Sequence, residues 1–427
     1  MAPIDWKAAC VPARAARLSN GLAVVTHRDA RSPLVAIHVA YRAGSREEPE
    51  SRAGLAHLCE HLMFTGTSAA PGSYFAPFER IGATWMNAYV REDYSAYFAT
   101  VPAWALEFAL RMEADRMGHL AAALDDEKIA RQREVVRNEL RQRAGDRYGR
   151  VPAAIASLAH RPGHPYAHPP DGVLEQLDNI STDDVRNWIE TRHCAGNAAV
   201  VIAGAVEPGS AIDLVRRHFE SLPGGSGLVD RADGANPAIE GSRRRTIIEQ
   251  GGQSRLYLAW NGPRFASSDL AAYQLACEVF ASGKASRLWR ALERQRLAVD
   301  VTFETRPREF GSQAVLATTA RAGVPLAAIE AAAERALEEF ARDGADPAEV
   351  DAARLRIFAR LVRGLERVGG PESKSDVLGL AAMLVGEPQA FDAWITAFAA
   401  AEPEAVAAAA RRWLGRNRAV VELRGAA

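Results

Sequence analysis

Only four of the 427 residues are cysteine, and no two of them form a C-x-x-C pair. Cys10, Cys59, Cys194 and Cys277 are too few and too scattered for a disulfide framework. An excess of charge of one sign is also missing. Fifty-two basic and 53 acidic residues leave a formal net charge of −1, so there is no electrostatic case for nucleic acid or an anionic membrane as a partner. No run of about 18 apolar residues occurs that would read as a bilayer span. Residues 1–17 carry Asp5, Lys7, Arg14 and Arg17 without an apolar core, so no secretory signal is read there. The expected location is the cytoplasm, with the periplasm as the alternative if a leader has been removed. Histidine is absent from the second half: all ten lie at or before His218. A histidine-based metal site can therefore be built only in the first half.

What is present in the first half is the stretch Gly54-Leu-Ala-His57-Leu-Cys-Glu60-His61-Leu-Met-Phe64. It predicts a helix, because Leu, Ala and Met dominate and no Pro or β-branched residue interrupts it. On a helix His57 and His61 stand at i and i+4, one turn apart on one face. That spacing lets both imidazoles hold one Zn²⁺ at about 2.0–2.1 Å. Glu60 leans toward the same face and is placed to take a proton from a metal-activated water. H-x-x-E-H is the reversed form of H-E-x-x-H. Cys59 lies between the ligand positions and points elsewhere around the helix, as a small buried residue.

A catalytic zinc keeps three protein ligands and one open position. The third is expected from the polar helix at 127–141, whose thin apolar stripe is Ile129, Val135 or Val136, and Leu140. Glu139 is the candidate and Glu134 its competitor; either also reads as a solvated helix carboxylate. His160, His164 and His168 have ligand-like spacing too. They lie in a Pro-rich run that forbids a helix, so a surface or substrate-cleft loop is expected there.

At 427 residues the chain predicts two or more domains. Apolar runs at 21–28 and 34–43 read as strands. Further strands are expected at 84–90, 94–100 and 198–204. Helices are expected at about 103–118, 126–145 and 151–160. The Gly-containing, aperiodic stretch 223–242 reads as a linker between a domain at 1–222 and one at 243–427. The second half repeats the plan of the first. Residues 255–260 match the strand at 35–41, and the helix at 270–280 matches the motif helix. Laying Cys277-Glu278 on Cys59-Glu60 puts Leu275 and Val279 where the ligands would be, so this half holds no metal. Strands alternating with long helices give the class α+β: two related domains, each a mixed sheet packed with helices.

With Arg133-Glu134-Val135-Val136-Arg137-Asn138-Glu139 following the H-x-x-E-H run, the chain resembles the pitrilysin/insulinase family of zinc peptidases, which includes the mitochondrial processing peptidases. Trp85-Met86-Asn87-Ala88-Tyr89, then Asp93-Tyr94-Ser95-Ala96-Tyr97, resembles that family's N-A-x-T…D-x-T-x-Y strands. The resemblance implies Glu139 as the distal zinc ligand, one Zn²⁺ per chain and Glu60 as general base. It implies each sheet to be mostly antiparallel and the chain to be half of a clam-shell dimer. It puts Gln132 where many members carry a second-shell carboxylate. It also implies that a peptide substrate adds as a strand at 83–89, with Asn87 and Ala88 as its contacts.

The family stabilises the transition state with an Arg and a Tyr in the run R-x-K-R-G-L-A-Y. Laid on Leu297-Ala298, those positions are Leu292 and Val299 here. The expectation is therefore a zinc endopeptidase subunit paired with a homologous partner that supplies the Arg and Tyr. The alternatives are a non-catalytic peptide-binding or structural subunit and a self-sufficient homodimer.

Overall fold

The computed structural model describes residues 4–49, 51–225, 239–265 and 267–426. Of the expected linker at 223–242, residues 226–238 lie outside the described residues. The first half contains strands β1 (Arg14–Arg17), β2 (Ala23–Arg28), β3 (Leu34–Tyr41), β4 (Thr84–Val90), β5 (Ser95–Pro102) and β6 (Ala198–Gly204). Its helices are α1 (Leu55–Leu62), α2 (Phe75–Arg80), α3 (Leu106–Ala123), α4 (Asp126–Gly145), α5 (Val151–Ala159), α6 (Thr182–Arg192) and α7 (Pro208–Phe219). In the second half the strands are β7 (Ser242–Gln250), β8 (Arg255–Asn261), β9 (Ala298–Arg306), β10 (Gln313–Ala320) and β11 (Arg418–Ala426). The helices are α8 (Leu270–Ala281), α9 (Arg287–Arg294), α10 (Leu326–Asp343), α11 (Pro347–Leu365), α12 (Lys374–Leu384), α13 (Ala390–Ala400) and α14 (Pro403–Trp413).

The two sheets repeat one topology. Their orders are β1-β2-β6-β3-β5-β4 and β7-β11-β8-β10-β9. β2 pairs parallel with β6 as β7 does with β11, and the other matched pairs are antiparallel in both. Among the described residues, β1 alone has no counterpart.

The strand sequences explain how the halves interlock. Val35, Ile37, Val39 and Tyr41 of β3 face the core shared with α1 and α3, while Ala40 faces the core of the second half. Both faces are buried, so β3 and β6 read as continuous apolar runs rather than alternations. α12, from the second half, packs over β3 and β6. There a Cβ on Gly379 would stand 2.7 Å from Nε2 of the buried His38, so only glycine lets the helix lie this close. In exchange, α5 of the first half covers the second sheet, where Val151, Ala154 and Ile155 meet Val421 and Leu423. Each sheet thus borrows a helix from the other half.

A buried ionic hub joins the halves a second time. Arg46 reaches Asp93 at 2.7 Å and Glu309 at 3.0 Å, and Tyr166 donates to Asp93 at 2.5 Å. Arg46 also lies 4.2 Å from the Phe310 ring centroid. Attraction between close, water-excluded charges is strong, and every member here has a hydrogen-bonding partner, which makes the hub a rigid strut.

Candidate metal centre

α1 is fixed at its start by a carboxylate rather than by a Ser or Thr cap. Glu48 accepts from the backbone N–H of Gly54 at 3.1 Å and of Ala56 at 2.8 Å. A carboxyl oxygen placed at a helix N-terminus satisfies the orphan backbone donors there. Burial pushes the Glu48 carboxyl up to about 8, against those two backbone bonds. Leu55, Leu58, Cys59 and Leu62 of α1 sink into the core. His57, Glu60 and His61 are left on the side that meets α4.

α4 is capped by Asp125, which accepts from Lys128 N–H at 2.7 Å. Its anchors are Ile129 and Val136, with Leu140 packed alongside, while Val135 is exposed. Of the two valines offered by the sequence, Val136 is the core one. That rotation turns Glu139 toward α1. Glu134 instead pairs with Arg137, which also meets Asp178, on the outer side.

The Nε2 atoms of His57 and His61 lie 3.3 Å apart. Glu139 Oε2 lies 3.5 Å from His57 Nε2 and 3.3 Å from His61 Nε2. Three donors bound to one tetrahedral ion at about 2.0–2.1 Å would stand about 3.3–3.4 Å from each other. Two imidazole nitrogens and one carboxylate oxygen at this spacing fit Zn²⁺ and leave one position open. Among the described residues, this is the one group of three or more His, Cys, Asp or Glu whose ligating atoms lie within 4.8 Å of each other.

The electrostatics match. His57, with Nε2 3.5 Å away, holds the Glu139 carboxyl down at about 2, helped by Arg143 and His61. Burial pushes His57 down, but Glu139 and Glu60 outweigh it and raise it. Burial and neighbouring His57 lower His61. Glu60 is pushed up to about 7, chiefly by burial, with Glu139 and Asp171 adding to the effect. His57 Nδ1 meets the carbonyl oxygen of Asp171 at 3.0 Å. A carbonyl only accepts, so Nδ1 carries the proton and Nε2 keeps its lone pair for a metal.

The other sequence candidates fall in varied places. β4 is the sheet edge, packed against α1, and among the described residues its outer side pairs with no strand. Asn87 there is exposed and Ala88 half-buried, paired with Phe98 and Tyr97 of β5. The ladder shifts register between Thr84 and Asn87, where Trp85 takes φ +53°. Gln132 is half-buried, two turns before Glu139 and about 10 Å away along the helix axis.

The segment at 160–170 is a non-helical loop, as its prolines require, with residues 161–163 exposed and the rest turned inward. His160 is buried and stacked on His164 with centroids 4.7 Å apart, and His168 lies 3.7 Å from Glu48. Sequence reading missed Arg143 and Asp171, which flank the three donors; neither belongs to a motif that would have flagged it.

In the second half, Leu275 and Val279 are buried. Glu278 pairs with Arg360 at 2.6 Å and Arg356 at 3.3 Å, so α8 and α11 are joined by ion pairs where α1 and α4 face each other across the donors. Leu292 is buried in α9 and Val299 is exposed on β9. Arg290 is engaged by Glu349 at 2.6 Å.

Two family descriptions match the chain: "Insulinase (Peptidase family M16)" over residues 23–161 and "Peptidase M16 inactive domain" over 179–357. The zinc protease PqqE of Helicobacter pylori is 26% identical over 372 residues, 85% of this chain and 81% of that protein. Human mitochondrial cytochrome b-c1 complex subunit 1 is 28% identical over 265 residues, 61% of this chain and 53% of that protein. Among solved structures, a protease from Helicobacter pylori superposes with TM-score 0.87 at 23% identity, covering 97% of this chain and all of that one. The periplasmic protease PqqL of Escherichia coli matches with TM-score 0.77 at 16% identity, covering 97% of this chain but 48% of that one. The chain belongs to the pitrilysin/insulinase family, peptidase family M16.

Proposed function

We propose that this chain is the metal-binding subunit of a zinc endopeptidase that hydrolyses unfolded or short peptides. One observation carries the reading: His57, His61 and Glu139 present two nitrogens and an oxygen at 3.3–3.5 Å from each other. One Zn²⁺ per chain held there would supply Lewis-acid chemistry to a water and to the scissile carbonyl. Glu60, half-buried on the same helix as the two histidines, takes the water proton and delivers it to the leaving amine. The open edge of β4 binds the peptide as an added strand, through main-chain hydrogen bonds at Asn87 and Ala88. Gln132 tunes the site from the same helix as Glu139.

The oxyanion-stabilising Arg and Tyr come from a homologous partner in a heterodimer. Leu292 and Val299 support this, as does the chain's match to about half of the PqqL protease. A homodimer is the variant in which a second copy closes the site. The match to a cytochrome b-c1 subunit favours a second reading, a non-catalytic structural subunit. The complete set of His57, Glu60, His61 and Glu139 speaks against it. The location proposed is the cytoplasm, with the periplasm as the alternative.

Cleavage of a long unstructured peptide, by the chain alone and with its partner, tests the reading. Activity in the mixture only, and sharply reduced with Glu60→Gln, is the expected result. Full activity of the isolated chain removes the partner from the account.

A further inference from the structure

We propose that Arg143 and Asp171 form a positioning clamp for the metal ligands, a role that rests on the zinc reading above. Arg143 stands one turn beyond Glu139 on α4. Its Nη2 donates to Glu139 Oε1 at 2.5 Å, which leaves Oε2 as the oxygen turned toward the two imidazoles. The other terminal nitrogen of Arg143 pairs with the Asp171 carboxylate. Asp171 acts at both ends: its carboxylate holds Arg143, and its carbonyl oxygen accepts from His57 Nδ1 at 3.0 Å. One short segment thereby sets the rotation of the first ligand and, through Arg143, of the third.

The segment has little freedom. Val173 N–H donates to Ala53 O at 3.3 Å, and Gln176 Oε1 accepts from Ala53 N–H at 2.8 Å. Gly172 lies directly against Gly54 at the start of α1. The clamp thus ties α1, α4 and the 169–173 loop into one frame. An exposed ion pair contributes little to stability in itself, and the Arg143 and Asp171 side chains are 42% and 41% exposed. The role of this pair is geometric. It fixes which carboxylate oxygen, and which ring nitrogen, is turned toward the shared metal position.

The test is zinc affinity by chelator competition, together with the visible absorption spectrum of the Co²⁺-loaded chain, for Arg143→Ala, Arg143→Lys and Asp171→Asn. Loss of an outer-shell partner weakens metal binding roughly 10–100-fold. We expect a loss in that range for Arg143→Ala, with a shifted Co²⁺ spectrum. Partial recovery is expected for Arg143→Lys and an intermediate loss for Asp171→Asn, which keeps the backbone carbonyl. If Arg143→Ala does not fold, the Lys and Asn variants decide. Wild-type affinity and spectrum in the folded variants would overturn the clamp while leaving the metal site standing. A wild-type chain that takes up neither metal overturns both.

Discussion

Gly172 packs on Gly54 so closely that a Cβ added to Gly172 would stand 2.4 Å from the Gly54 Cα. Both glycines have positive φ, +99° and +108°. The contact seats the loop bearing Asp171 on the N-terminus of the helix that carries His57 and His61.

Gly172→Ala therefore meets a steric clash and a backbone conformation that L side chains avoid. A strained left-handed residue costs on the order of 1–3 kcal/mol, and the clash adds to it. Chemical denaturation should show a loss of at least that size, and zinc affinity should fall with it. An unchanged midpoint and affinity would mean that the loop does not depend on this contact.

Glu60→Gln separates chemistry from binding. The amide cannot take a proton, so peptide hydrolysis by the assembled enzyme should fall by about 10²–10⁴-fold, while zinc content stays at the wild-type level. Burial pushes the Glu60 carboxyl up to about 7. A neighbouring divalent cation pulls it lower. Activity should accordingly rise with pH and level off below pH 7, as the carboxylate forms. An acid limb extending above pH 7 would point to a different base.

His193 gives a pH dependence of stability away from the metal centre. It is buried, with Nε2 3.3 Å from Tyr97 Oη and its ring 4.7 Å from that of Tyr41. Burial, with Arg116 nearby, lowers it to about 3 from an ordinary value near 6.5. The unfolded chain binds this proton as pH falls below about 6.5 and the folded chain does not. Its contribution to stability is thus lost as pH falls from about 6.5 toward 3. One proton corresponds to about 1.4 kcal/mol per pH unit. In His193→Phe, the slope of unfolding free energy between pH 6 and 4 should drop by about one proton. An unchanged slope would show that His193 titrates normally in the fold.

Much of the site was legible in the sequence because it is local. His57, Glu60 and His61 share two turns of one helix, and their spacing alone puts them together. Glu139 was less so. Sequence periodicity left it in competition with Glu134, and the rotation of α4 set by Ile129 and Val136 turns Glu139 rather than Glu134 toward the two histidines. Arg143 and Asp171 were not legible. Arg143 is one of many basic residues on a polar helix. Asp171 acts through a backbone carbonyl in a loop placed by a glycine contact 118 positions away in sequence (172 − 54).

The repeat of the fold was visible in the helix at 270–281 and the strand at 255–261. The edge strands β7 and β9 were not read as strands. β7 opens Ser242-Arg243-Arg244-Arg245, which resembles a solvated run, because an edge strand buries little. The exchange of α5 and α12 between the halves leaves no periodic trace, since each helix is amphipathic or apolar whichever sheet it covers.

Zinc uptake by equilibrium dialysis, with wild type, Glu139→Gln and Glu134→Gln side by side, tests the central claim most directly. The account predicts one Zn²⁺ per chain for wild type and for Glu134→Gln. For Glu139→Gln it predicts binding weakened by more than the roughly 100-fold typical of losing an outer-shell partner. Equal zinc binding by wild type and Glu139→Gln, or none by wild type, would contradict it.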